Sequence, residues 1–260
     1  MFNLVKSTLA ALVLMLLAFQ SVNADVLFEE DVVRIKDDLF GSDYNLIEEA
    51  VVQLRWAGIS DERIFDPLVE VLGLNKRYRK KRIELYVQAI AYSGNEKYLS
   101  ILKDISVDKK KAFSVRREAK NQLRDFEIYQ EISNKMGEAV ASAKSLEESW
   151  VIRHRVGLES ENPIWVRWAA RDLFLHGYGA DSFAIAESYL REHAIDDNED
   201  NNLVDASAFL CKALGVSGNS EYVDVLTYVA NTTPVKKLRR YAERSVQYYD
   251  RDFKAEERTN

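Results

Sequence analysis

Residues that could carry chemistry are sparse in this chain. The three histidines, His154, His176 and His193, form no i,i+4 pair with one another and have no cysteine at zinc-ligand spacing, so no metal centre is expected. Asp196-Asp197-Asn198-Glu199-Asp200 places oxygen ligands at positions 1, 3 and 5 of a calcium loop. Asn201 then stands where the loop needs Gly, and Ser207 where it needs a bidentate Glu, so the run reads as an acidic connection before a helix. The one cysteine, Cys211, lies between Leu210 and Leu214 and reads as a buried, inert thiol; it can form no intramolecular disulfide. Carboxylate pairs such as Glu48-Glu49 and Glu147-Glu148 are adjacent, and adjacent residues on a helix do not face each other. There is no Gly-x-Ser-x-Gly elbow, phosphate loop or dinucleotide fingerprint. These observations predict no catalytic residues and no cofactor.

Two surface features point to binding. Lys76, Arg77, Arg79, Lys80, Lys81 and Arg82 surround Tyr78 in a basic run inside an acidic protein. Such a run fits docking on an anionic partner, whether protein, glycan or lipid headgroup, and a solvated loop with a helix start is its plainer reading. Trp165 and Trp168 flank Arg167 three positions apart and share a helix face; aromatics with Arg favour interaction hot spots, and also core packing.

The elements that must position these residues read as helical throughout. Leu46, Ile47, Ala50, Val51 and Leu54 form an apolar stripe at helical spacing, as do Val166, Ala169, Ala170, Leu173 and Phe174. Pro163 and Pro234 follow capping residues and fit the first turn of a helix. Ser93-Gly94-Asn95-Glu96-Lys97-Tyr98 recurs as Ser217-Gly218-Asn219-Ser220-Glu221-Tyr222, 124 residues later, which suggests three periods of about 41. A second pattern is an apolar residue, then Arg, with Ala four and another apolar residue eight positions after the first. It occurs at Val115-Arg116, Val166-Arg167 and Leu238-Arg239.

In this Val-Arg-x-x-Ala pattern the chain resembles the HEAT and HEAT-like helical-repeat superfamily, over residues 43 to 250. The resemblance implies an all-α α-solenoid of about five antiparallel helix pairs, with Arg116, Arg167 and Arg239 as repeat-to-repeat ladder residues. Residues 126 to 162 fit the repeat worst and read as longer helices or an insertion. Residues 25 to 42 are expected to hold a capping helix, and 251 to 260 a polar tail.

Residues 1 to 24 read as a secretory signal: Lys6, an apolar stretch from Leu9 to Phe19, and Val22-Asn23-Ala24 as a cleavage site. That apolar stretch is too short for a bilayer span, which needs roughly 20 residues. A periplasmic or secreted protein is expected. Removing the leader takes one Lys and no acid, so the net charge of −6 becomes −7; nucleic acid is a poor ligand for such a chain. The combined reading is a non-catalytic scaffold that holds an exported protein or peptide, with no prediction of oligomeric state. Alternatives are an enzyme or small-molecule or glycan binder on the concave face, or a membrane-surface protein docking through residues 76 to 82.

Overall fold

The computed structural model describes residues 27–73, 78–177, 179–196 and 200–257, with side chains through Tyr249. The expected signal at 1–24, and Lys76 and Arg77 of the basic run, lie outside the described residues. Among the described residues the fold is all-α, with no strand and no helix long and apolar enough to cross a membrane. Two compact units divide between Ser142 and Ala143.

The first unit contains α1 (Glu29–Phe40), α2 (Tyr44–Ala57), α3 (Glu62–Gly73), α4 (Lys80–Tyr92), α5 (Leu99–Val107), α6 (Phe113–Arg124) and α7 (Phe126–Val140). The second contains α8 (Leu146–Leu158), α9 (Pro163–His176), α10 (Gly179–His193), α11 (Asn201–Val216), α12 (Val223–Thr232) and α13 (Lys236–Glu257). α1 lies within the stretch expected to cap the repeats, and α13 runs into the stretch expected to be a tail. Pro163 opens α9, as expected. Pro234 instead precedes α13, because Thr233 ends the connection by accepting from Val235 N at 3.2 Å.

Each unit is built by the same packing rule: a helix touches its chain neighbour and the helix two places on. In the first unit α2 packs on α4 and α4 on α6; in the second α9 packs on α11 and α11 on α13. The pattern α1 to α6 therefore recurs as α8 to α13, and the atomic detail recurs with it. Ser93 Oγ donates to Ile90 O at 2.7 Å, and Ser217 Oγ donates to Leu214 O at the same distance. Gly94 and Gly218 then turn the chain at φ 60° and 72°, a region open to Gly at little cost. Asn95 and Asn219 cap the following turn, accepting from Lys97 N and Glu221 N. Tyr98 meets Phe65 with ring centroids 5.9 Å apart and Tyr222 meets Phe183 at 6.2 Å, with interplanar angles of 53° and 54°. The expected 41-residue spacing is thus replaced by a duplicated six-helix block.

Among the described residues α7 has no counterpart in the second unit, and it accounts for residues 126 to 140 of the stretch that fits the repeat worst. It lies against α2 and α4. Tyr129 sits edge-on to Tyr92, centroids 4.8 Å apart, and the Arg55 guanidinium lies 5.4 Å from the Tyr92 ring centroid. The glycines that end α2 and α4 permit this approach. A Cβ at Gly58 would stand 2.6 Å from Met136 Cβ, and one at Gly94 would stand 2.5 Å from Tyr129 O.

The two Ser-Gly-Asn turns provide an internal comparison, because a Cβ on Gly218 would meet no atom within 4 Å. Gly218→Ala should cost only the positive-φ penalty, about 1 kcal/mol. Gly94→Ala adds a backbone overlap with α7 and should cost about 3 kcal/mol in urea denaturation. Equal losses at the two sites would contradict the packing of α7 described here.

Candidate functional site

The residues expected to bind a partner meet different fates. Arg79, Lys80 and Lys81 are exposed at the start of α4. Arg82 must be removed from that patch: its guanidinium donates to Leu39 O at 3.2 Å and Gly41 O at 2.9 Å, tying α4 to the end of α1. Tyr86 OH reinforces the tie by donating to Leu39 O at 2.8 Å. Trp165 is buried in α9, while Trp168 is half-buried. Arg116 and Arg239 reach back to carbonyls of the connections before their own helices, Lys111 O and Thr233 O, each at 2.7 Å. Arg167 instead crosses to α11 and pairs with Asp205 at 3.2 Å. Cys211 is fully buried, which pushes its thiol up to about 12 and leaves it protonated and unreactive.

A buried polar cluster in the second unit joins residues that are scattered in sequence. Asp172, on α9, accepts from His154 Nε2 of α8 at 3.2 Å and from His176 Nδ1 at 3.0 Å. The other nitrogen of His154, Nδ1, lies 3.3 Å from Ser182 Oγ of α10. The order Ser182, His154, Asp172 is that of a nucleophilic triad. Ser182 and His154 are both fully buried, however, so no acyl carbon can reach the hydroxyl. The cluster instead pins α8, α9 and α10 together by satisfying polar atoms that would be costly to bury alone. The Asp172–His176 spacing of four was legible in the sequence; the His154 and Ser182 contacts depend on tertiary packing. Among the described residues no group of three or more His, Cys, Asp or Glu is arranged to hold a metal ion.

The feature suited to binding is a groove of about 890 Å³ in the second unit. It runs along α10 and across the first turns of α9, α11 and α13. Its floor is apolar, formed by Leu158, Val166, Ile185, Val204 and Leu238 among others. Its rim carries Glu159, Glu161, Asp181, Glu192 and Asp196 against one permanent cation, Arg155. The three helix N-termini bring about +0.5 charge each, so the five carboxylates still dominate the field. Tyr189, inside the groove, feels that field: burial first, and then the Asp196 and Glu192 carboxylates, push its phenol up to about 12.

The internal duplication gives a reason for the opening. In the first unit, Arg82 ties α4 to the end of α1, and Lys111 Nζ donates to Leu72 O at 2.7 Å, tying the α5–α6 connection to the end of α3. Counting back from Ser217 and Arg239, the matching positions in the second unit are Ala206 and Pro234. Neither side chain can donate a hydrogen bond. The cationic ties that draw this edge together in the first unit thus have no donors at the matching positions of the second.

Asp172 gives a test in acid. Burial alone would raise its carboxyl, but the hydrogen bonds from His154 and His176 outweigh that and hold it at about 2, below the ordinary 3.8. The fold therefore favours the ionised form, and the stability this contributes is full above about pH 4 and lost as pH falls through about 2. Asp172→Asn should cost about 2 kcal/mol at neutral pH and flatten the acid limb of the stability profile over that window. An unchanged acid limb in the variant, followed by circular dichroism, would contradict this account of the cluster.

No protein-family model and no curated protein matches the chain. Among solved structures, one of human deoxyhypusine hydroxylase in complex with glycerol is similar at 16% identity and a TM-score of 0.34, covering 86% of this chain and 86% of that one. A likeness at that level carries no argument about activity or ligand.

Proposed function

We propose that this chain is a non-catalytic, exported scaffold with a HEAT-like α-solenoid architecture, and that its second unit holds a basic polypeptide segment in the groove along α10. The observation that carries this reading is the pairing of an apolar floor with a rim of five carboxylates. An apolar side chain entering the floor supplies affinity, at about 25 cal/mol per Å² removed from water. Lysines or arginines on either side of it pair with the rim and supply orientation and on-rate. The alternation of helices within each unit and the Val-Arg-x-x-Ala pattern support the solenoid assignment. Export rests on the leader pattern at residues 1–24.

The groove floor is core, so the test must leave it intact. Ala184 and Ser188 line the groove from α10 and are exposed, which makes Ala184→Arg and Ser188→Arg tolerable to the fold. A short peptide with lysines around a central phenylalanine should bind the parent chain with a Kd on the order of micromolar, read by fluorescence anisotropy. The double variant should weaken that binding at least about tenfold with an unchanged thermal midpoint. Equal binding by parent and variant would refute the groove as the site.

A further inference from the structure

The edge of the first unit that corresponds to the groove gathers cations at the starts of α4 and α6. Arg79, Lys80 and Lys81 are exposed at the start of α4, and Lys109 and Lys110 are exposed in the α5–α6 connection. The bond from Lys111 Nζ to Leu72 O holds that connection against the end of α3, so both sets of cations lie on the edge where α3 gives way to α4 and α5 to α6. The N-termini of α4 and α6 add to the positive field.

This edge also exposes apolar side chains. Phe113, the first residue of α6, is 68% exposed, and Val107, the last of α5, is 69% exposed. Arg116 and Arg117 hold their guanidinium groups 5.9 Å from the Phe113 ring centroid, so the ring is ringed by cations as well as exposed. A large apolar side chain among cations is the complement of an apolar floor among carboxylates. One chain thus carries both halves of a recognition pair.

We propose that the chain associates with itself head to tail, the α5–α6 corner of one copy seated in the α8–α13 groove of the next. This rests on the reading of the groove as a site for basic, apolar-anchored segments, and it names the segment. The two surfaces differ, so each corner-in-groove contact leaves a second corner and a second groove free, to be filled by further copies in an open chain or by closure of the assembly. A corner in a groove is a small interface, which makes the association weak and dependent on its central aromatic. Charges on both rims make it sensitive to salt.

Sedimentation velocity of the full chain tests this directly. At roughly 200 µM and low salt the weight-average sedimentation coefficient should rise above that at roughly 5 µM, and fall back in about 0.5 M salt. A corner variant, Lys109→Glu with Lys110→Glu and Phe113→Ala, should stay monomeric, as should the groove variant Ala184→Arg with Ser188→Arg. All five positions are exposed, and circular dichroism checks that both variants fold. An equal mixture of the two should form one-to-one dimers and nothing longer, because it restores one intact corner and one intact groove. A parent that is monomeric throughout, or a mixture that stays monomeric, would overturn self-association. If the lysine-phenylalanine peptide still bound the parent and not the groove variant, the groove would stand with a different occupant; if it bound neither, the reading of the groove would fall as well.

Discussion

Everything in each unit depends on how closely helices two places apart can approach. Helices of 9 to 22 residues are marginal alone in water, and the single buried thiol supplies no cross-link, so stability comes from each helix burying its apolar face. The buried alanines of α4, α6, α9, α11 and α13, such as Ala89, Ala119, Ala169, Ala213 and Ala242, keep backbones near one another. At one seam even Ala is too large: a Cβ on Gly215 of α11 would stand 2.8 Å from Ser245 Cβ of α13. The turns obey the same constraint, since Gly58 and Gly94 both reverse the chain and admit the backbone of α7. Small residues thus decide the packing, and large ones fill what remains.

The helices were legible because their apolar stripes are regular, and the Ser-Gly-Asn turn was legible because its hydrogen bonds are local. The bonds that Ser93 and Asn95 make within three residues of themselves are repeated by Ser217 and Asn219, so the motif means the same thing wherever it occurs. The period was misread for a related reason. A local turn reports that two places are alike without showing how many helices lie between them, and the duplicated block becomes visible only when α2–α4–α6 is set beside α9–α11–α13. α7 lies in the stretch read as longer helices or an insertion.

Side chains with two possible fates were the least legible. Arg82 belongs by type to a run of solvated cations, yet its reach to the carbonyls at the end of α1 makes it part of the frame. Trp165 and Trp168 share a helix, yet only tertiary packing decides that Trp165 is buried. His154 and Ser182 are 28 residues apart and meet only because α8 and α10 pack together. The groove could have been anticipated by one comparison: Ala206 and Pro234 stand where the first block has Arg82 and Lys111.

The two blocks therefore share a frame and differ on one edge. The first carries the Arg82 and Lys111 ties there and surrounds Phe113 with positive charge, whereas the second has a groove with an apolar floor and a negative rim. Binding on that edge is the centre of this account, and hydrogen-exchange mass spectrometry of the full chain tests it most directly, with and without the lysine-phenylalanine peptide. Slower exchange confined to α10 and the first turns of α9, α11 and α13 is the predicted result. Exchange that is unchanged by the peptide, or slowed only elsewhere, would contradict it.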